Sequence, residues 1–146
     1  MRVRILAVGT RMPEWVTVAY EDYTRRMRND MRVDLEVVPV GKTKVEEERS
    51  LLQRAGDDYL IALDERGKSL TTLQLAKWLG ERQQDGRNLT FVIGGPDGHG
   101  PAILVKAELR WALSALTFPH AMVRVILAEQ LYRAHSVLQN HPYHRE

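Results

Sequence analysis

The chain of 146 residues contains no cysteine, so disulfide bonds, thiolate metal ligands and a cysteine nucleophile are all excluded. It also contains no long hydrophobic run. Its apolar stretches are a few residues long, whereas a helix that crosses a bilayer needs about 20 apolar residues. The first residues lead into a strand-like segment rather than a signal-peptide core. We therefore expect no membrane insertion and a cytoplasmic location.

The common phosphate-binding motifs are absent as well. A dinucleotide-binding turn needs three spaced glycines after the first strand, where this chain has Gly9 alone, and the loop at 94–100 has the wrong spacing. A Walker A loop needs a glycine five residues before Gly67, and Ala62 stands there. These mismatches argue against NAD, FAD and P-loop ATP binding.

The charge of the chain is mildly positive and unevenly distributed. Hydrophobic residues make up 44% and charged residues 27%, which is typical of a folded globular domain, and the length fits one domain. The net charge of the chain is +2, and positive charge is concentrated in residues 1–32, which contain seven arginines against four acidic residues. Such a basic segment is compatible with RNA binding, and a solvated helix face explains the arginines at 25–28 equally well.

Strand-like and helix-like segments alternate along the whole chain. This pattern predicts an α/β fold with a mostly parallel sheet flanked by helices. Thr71 and Gln74 have the spacing of a capping box, which predicts a helix start, and Pro39 predicts that the second strand lies near a sheet edge. The expected strands are 3–8, 33–37, 59–63, 89–93 and the apolar segment 113–118, and the expected helices begin near 13, 45, 71, 101 and 122.

A glycine-rich loop follows the fourth predicted strand. It has four glycines between Gly94 and Gly100. Ligands of parallel sheets bind beyond the carboxyl ends of the strands, and a loop with few side chains lets the backbone approach a ligand closely. The loop is a candidate ligand site, and the alternative is a plain tight connection into the next helix.

Two later segments are further candidates. The stretch 114–120 is small and apolar enough to surround an adenine, although it is equally suited to the core. The tail at 141–146 combines two histidines, a tyrosine and an arginine, which indicates docking on a surface rather than a frayed end. Pro142 interrupts any helical histidine pair and no acidic motif accompanies it, so we expect no metal site.

Five segments together resemble a known family in order and spacing. The similarity extends from Val3 to Glu146, and its motifs are Ala7–Thr10, Ile93–Gly98, Leu113–His120, Glu129–Ala134 and Asn140–Glu146. They closely resemble the ribosomal RNA large subunit methyltransferase H family, small SPOUT-class enzymes that methylate N3 of a pseudouridine in 23S rRNA. The segment 42–59 is shorter than the family pattern, and His99 and His135 replace apolar or aromatic residues.

The resemblance implies features of the fold, the assembly and the cofactor that the periodicity does not predict. It implies a single SPOUT methyltransferase domain over residues 1–146, with a SPOUT-type α/β knot, which is a deep trefoil knot. It also implies a homodimer whose cofactor pocket lies at the knot and the subunit contact. The implied cofactor is S-adenosyl-L-methionine, and the implied partner is 23S rRNA within the assembled large subunit or ribosome.

The resemblance also assigns candidate residues. The implied cofactor-binding residues are Leu63, Gly95, Ser114, Ala115, Leu116, Thr117, Phe118 and Pro119. The candidate catalytic residues, chosen by side-chain type within the family's tail, are His141, Tyr143, His144 and Arg145. The candidate RNA-binding residues are Arg2, Arg4, Arg11, Arg25, Arg124 and Arg133. Two alternatives remain open at this point: a knotted methyltransferase that acts on tRNA, and a ribosome-binding protein without catalysis.

Overall fold

A computed structural model describes residues 1–9 and 12–145. Strands and helices alternate as the sequence pattern predicts. The strands are β1 (Arg2–Val8), β2 (Arg32–Val38), β3 (Tyr59–Ser69), β4 (Leu89–Ile93) and β5 (Leu109–Ala112). The helices are α1 (Glu14–Met27), α2 (Lys44–Ala55), α3 (Thr72–Asp85), α4 (Pro101–Lys106) and α5 (His120–Leu138), followed by a short 3₁₀ helix, Pro142–Arg145.

The five strands form one parallel sheet in the order β2-β1-β4-β3-β5. The prediction of a parallel sheet is confirmed, and so is the position of β2 at an edge. All strands point the same way, so the loops after β1, β3 and β4 emerge beside one another at the carboxyl edge. Those loops therefore lie close in space although they are far apart in sequence.

Helices cover both faces of the sheet. On one face, α1, α3 and α5 pack against a core that includes Ile5, Phe91 and Leu127. On the other face, α2 and α4 pack against a second core that includes Leu6 and Val92. All five residues of β4 are buried, which fits a central strand with helices on both sides.

Local signals in the sequence set the starts of two helices. The hydroxyl of Thr71 accepts a hydrogen bond from the Gln74 amide at 3.1 Å, and the Gln74 side chain accepts one from the Thr71 amide at 2.9 Å. The capping box is therefore confirmed. Pro101 occupies the first turn of α4, where its missing N–H costs no hydrogen bond.

The fifth strand lies elsewhere than expected. The prediction of a strand over 113–118 is wrong: β5 is Leu109–Ala112, and α4 ends at Lys106 rather than near 110. Trp111 decides the position, because its buried ring packs against Phe91 at 6.2 Å between ring centroids. The sequence pattern missed this because the strand has only four residues and one of them, Arg110, is charged.

The third strand is longer than expected. The strand expected to end at residue 63 continues to Ser69, because both Leu63 and Lys68 lie opposite Trp111 in the register. A β-carbon at Gly67 would lie 2.6 Å from the Arg110 carbonyl, so only glycine fits there. The residues between Leu63 and Lys68 bulge out at the carboxyl edge as a result. Within the described residues, no helix is long and apolar enough to span a membrane.

Candidate cofactor site and tail

A cavity of about 460 Å³ lies at the carboxyl edge of the sheet. Such a volume is within the range of small-molecule sites, roughly 300–1,000 Å³. Three segments form its walls: the bulge of β3 at 63–66, the glycine-rich loop at 94–99, and the segment 113–118 with the start of α5. The parallel topology brings these segments together.

Most of the predicted cofactor-binding residues line this cavity. They are Leu63, Gly95, Ser114, Leu116, Thr117 and Phe118. Ala115 and Pro119 belong to the same wall segment without lining the cavity themselves. Asp64, Glu65 and Arg66 also line it, although no pattern in the sequence assigned them to the site, and so does His120, at the end of the candidate stretch 114–120. The position of residues 64–66 directly after a predicted strand is the signal that could have found them.

The backbone requires glycine at some positions of the loop but not at all of them. Gly98 has a φ of +73°, and a β-carbon at Gly94 would lie 2.8 Å from Gly98 backbone atoms, so the turn itself requires both. Gly95 has neither constraint, because a β-carbon there would make only ordinary contact with Val8, at 3.6 Å. The fold therefore accepts a small side chain at 95. The glycine there is better explained by a ligand that approaches the backbone.

Two histidines flank the cavity in neutral form. The pKa of His99 is lowered mainly by burial, with a smaller contribution from the charge of Lys44, and its Nε2 lies 3.1 Å from the Val92 carbonyl oxygen. Burial and then the charge of Arg124 lower the pKa of His120, whose Nε2 accepts a hydrogen bond from Arg124 at 3.3 Å. Neither imidazole therefore carries a charge at neutral pH.

The candidate RNA-binding arginines are scattered rather than gathered at the cavity. Arg124 is 1% exposed beside His120, and burial lowers its pKa. Arg4 is half-buried and forms an ion pair with Asp58 at 3.1 Å. Arg2 and Arg25 are exposed, at the start of β1 and near the end of α1, and both lie towards the amino edge of the sheet. Arg11 lies outside the described residues.

The tail docks on α5 of its own chain. The Tyr143 hydroxyl donates a hydrogen bond to Glu129 at 3.1 Å, and its ring lies 4.5 Å from the Tyr132 ring between centroids. The Arg133 guanidinium lies 5.1 Å from the centre of the Tyr143 ring and pairs with Glu129 at 2.6 Å. Glu129 and Arg133 are four residues apart on α5, a spacing that favours a helical ion pair. A docked tyrosine favours the surface-docking interpretation of the tail.

The chemistry of the tail follows from these contacts. Burial, Tyr23 and Glu129 raise the pKa of Tyr143, so its phenol stays protonated and acts as a hydrogen-bond donor rather than as a base. His141 is exposed and its Nδ1 accepts from the Tyr143 amide at 3.2 Å, while the Nδ1 of His144 lies 3.5 Å from the Ser136 hydroxyl. Arg145 is exposed at the end of the 3₁₀ helix.

The tail and the cavity lie at opposite ends of α5. Tyr143 packs on Glu129, Tyr132 and Arg133, whereas His120 lines the cavity at the first turn of the helix. Twelve residues separate His120 from Tyr132, which is about 18 Å along a helix. No described tail residue lines the cavity. A single chain therefore does not bring its own candidate catalytic residues to its own candidate cofactor site.

The described residues contain no group of three or more histidine, cysteine, aspartate or glutamate side chains placed to hold a metal ion. The imidazole of His135 is buried, and its Nε2 lies 3.2 Å from the Asp30 carboxylate.

A parallel α/β sheet with a ligand-sized cavity at its carboxyl edge is typical of proteins that bind a small molecule there, and the comparison with known families identifies the class of protein. The family model described as predicted SPOUT methyltransferase matches residues 1–144, and the chain belongs to this family. Relatives named ribosomal RNA large subunit methyltransferase H are 47% identical in Alkalilimnicola ehrlichii and 48% identical in Methylobacillus flagellatus. The first comparison covers 99% of both chains and the second 100% of both.

Solved structures agree with the fold. A probable methylase family protein from Haemophilus influenzae superimposes with a TM-score of 0.61 at 15% identity, over 97% of this chain and 69% of the other. A putative methylase family protein from Neisseria gonorrhoeae gives 0.59 at 10% identity, over 90% and 81%. At these identities the likeness concerns the fold alone.

Gly95→Ala tests whether a ligand approaches the loop backbone. We expect the variant to fold with unchanged or slightly higher stability, because the site accepts a methyl group and alanine restricts the unfolded chain. We expect affinity for S-adenosyl-L-methionine, measured by calorimetry, to fall about tenfold, because the methyl group occupies space that the ligand needs. Gly80→Ala, in α3 and away from the cavity, is the control. If Gly95→Ala binds the cofactor with wild-type affinity, Gly95 is not part of the cofactor site.

Acidification tests the half-buried histidine of the loop, His99. Because the folded-state pKa of His99 lies below its ordinary value of 6.5, the unfolded chain binds the proton more readily. The free energy of unfolding should therefore fall as the pH drops below about 6.5. Urea unfolding between pH 7 and pH 5 should show this decline in the wild type and a shallower decline in His99→Gln. Equal slopes in the two proteins would show that His99 does not contribute to the decline in stability.

Proposed function

We propose that this protein is an S-adenosyl-L-methionine-dependent methyltransferase that methylates N3 of a pseudouridine in 23S rRNA of the large ribosomal subunit. One observation carries the proposal. The three segments that the family resemblance links to the cofactor, which are far apart in the sequence, form the walls of one cavity of suitable size. Full-length relatives named as large subunit rRNA methyltransferases support the substrate class.

The cavity suits the chemistry of this cofactor. When bound, S-adenosyl-L-methionine supplies an activated methyl group on a sulfonium. Leu63, Leu116 and Phe118 provide apolar wall, and the loop around Gly95 offers backbone groups that hydrogen-bond an adenosyl group without introducing a phosphate site. The absence of phosphate-binding motifs from the sequence agrees with a cofactor that carries no phosphate.

Methyl transfer is an in-line displacement, so positioning of the two reacting atoms contributes much of the rate. N3 of the base must also lose its proton. On the tail, the imidazoles of His141 and His144 can accept that proton, whereas the protonated phenol of Tyr143 cannot. Arg133 and Arg145 are the cations that would offset negative charge on the base carbonyls.

We further propose that the enzyme works as a homodimer. The candidate catalytic tail lies about 18 Å along α5 from the cavity of the same chain, so a second copy is needed to bring a tail to each cavity. An α5 helix crossing its counterpart in the opposite direction would place the end of one helix near the start of the other. The Trp15 and Val18 side chains on neighbouring α1 are 53% and 60% exposed, which suits an apolar subunit contact.

The SPOUT-type trefoil knot is part of this proposal. The segment 113–119 carries the chain from β5 at one edge of the sheet to His120, whose ring would lie 3.4 Å from a β-carbon at Gly9, after β1. This path crosses the ends of β3 and β4 beside the glycine-rich loop, as a threaded segment would. We also propose one SPOUT domain over 1–146 and a cytoplasmic location, where its rRNA substrate lies.

The substrate is tested by methyl transfer from labelled cofactor. We expect purified protein to label intact ribosomes or large subunits, with the label at N3 of a pseudouridine in 23S rRNA by mass spectrometry, and to leave tRNA unlabelled. The physical reason is that residues 1–144 match one methyltransferase domain, and recognition of RNA by such a domain relies on a partner that supplies a fixed shape. Label confined to tRNA would favour a tRNA enzyme. Ribosome binding without cofactor binding would indicate a non-catalytic protein.

Mixed dimers test whether the tail acts on the partner's cavity. One chain carries Gly95→Val, which blocks its cavity, and the other lacks residues 143–146. Each variant alone should be inactive. Together they should recover activity, because one site of the mixed dimer combines an intact cavity with an intact tail from the other chain. Persistent inactivity, with mixed dimers verified by mass spectrometry, would contradict action across the subunits.

A further inference from the structure

The glycine-rich loop is held from behind by α2. Glu48 is only 4% exposed, and its Oε2 accepts a hydrogen bond from the Ile103 amide at 2.8 Å. This amide belongs to the first turn of α4, directly after the loop. A β-carbon at Gly100 would lie 2.6 Å from the Glu48 carboxyl carbon. The carboxylate therefore sits tightly against the end of the loop.

The same helix also contacts the middle of the loop. Lys44, one turn before Glu48, donates a hydrogen bond from Nζ to the Gly98 carbonyl. It also pairs with Glu47 at 3.7 Å, so its ammonium lies between α2 and the loop. Between the two contact points lies the half-buried His99, whose Nε2 lies within hydrogen-bond distance of the Val92 carbonyl of β4. The loop from Gly98 to Ile103 is thus fixed at successive positions from one side.

A buried carboxylate is costly unless hydrogen bonds or cations compensate it. In the described part of the chain no lysine, arginine or histidine forms an ion pair with Glu48. Its support comes from the Ile103 amide, where the orientation of the α4 backbone also favours a negative charge. Core packing alone would be served better by an apolar residue here. The carboxylate is explained if its purpose is to hold the loop.

From these contacts we infer that Glu48 and Lys44 are positioning residues for the cofactor loop. Neither lines the cavity, so both act through the loop backbone, from Gly95 to Ile103. They hold the loop in the shape that receives the cofactor before it binds, which lowers the ordering cost of binding. This inference rests on the proposed function, because it concerns affinity for S-adenosyl-L-methionine.

The test compares variants that alter the contact to different degrees. Glu48→Ala removes the acceptor of the Ile103 amide, whereas Glu48→Gln keeps an oxygen of the same reach. By calorimetry we expect Glu48→Ala to weaken cofactor binding about tenfold and Glu48→Gln to restore most of the affinity. Hydrogen exchange of the Ile103 amide should be faster in Glu48→Ala. Lys44→Met, at a partly exposed position, should weaken binding in the same direction.

The control separates positioning from general stability. Leu51→Val changes a fully buried apolar residue one turn further along α2, whose side chain makes no hydrogen bond to the loop, and should lower the melting temperature while leaving cofactor affinity unchanged. All affinities are measured well below the melting temperature of each variant. If Glu48→Ala does not fold, Lys44→Met decides the outcome, because its side chain is not part of the core.

The possible failures are distinguishable. Wild-type affinity in folded Glu48→Ala and in Lys44→Met would overturn the positioning role and leave the proposed function intact. An equal loss of affinity in Leu51→Val would also overturn it, because the effect would then follow stability. A wild-type protein that does not bind S-adenosyl-L-methionine would refute the proposed function, and the positioning role with it.

Discussion

The parallel direction of all five strands is the constraint on which the candidate site depends. Because every strand ends at the same edge, the bulge after Leu63, the loop after Ile93 and the segment leading to α5 meet although about a third of the chain separates the first from the last. β4 lies between β1 and β3 with helices on both faces, so the glycine-rich loop emerges from the buried centre of the sheet.

The glycine-rich loop combines freedom and restraint. Gly94 and Gly98 are needed by the turn itself, whereas Gly95 leaves its inner side open towards the cavity. The outer side is held by Lys44 and Glu48 from α2. Without these contacts, a loop so rich in glycine would lose much conformational entropy on binding a ligand. Contacts from a neighbouring helix reduce that loss without filling the ligand space.

The long helix α5 separates two parts of the proposed chemistry. Its first turn joins the cavity through His120, and its second half carries the tail through Glu129, Tyr132 and Arg133. Ring stacking and the hydrogen bond to Glu129 fix Tyr143 at the far end of the helix. A symmetric dimer is the simplest assembly that unites the two ends, since each copy then supplies both parts.

Much of the local structure was predictable from the sequence. Periodicity gave the alternation of strands and helices, the Thr71 and Gln74 pair gave the start of α3, and the Glu129 and Arg133 spacing gave their ion pair. The glycine-rich loop was identifiable as a candidate site from its composition and its place after a buried strand. All these signals act between residues only a few positions apart, so the order of amino acids alone determines them.

Only the tertiary structure decided the rest. Trp111 fixed β5 earlier than the pattern predicted, Arg124 became buried beside His120, and Glu48 met the amide of Ile103. Glu48 and Ile103 are 55 residues apart, and their contact requires α2 and α4 to share one face of the sheet. Strand order and helix placement follow from the packing of the whole chain, and no local pattern of residues encodes them.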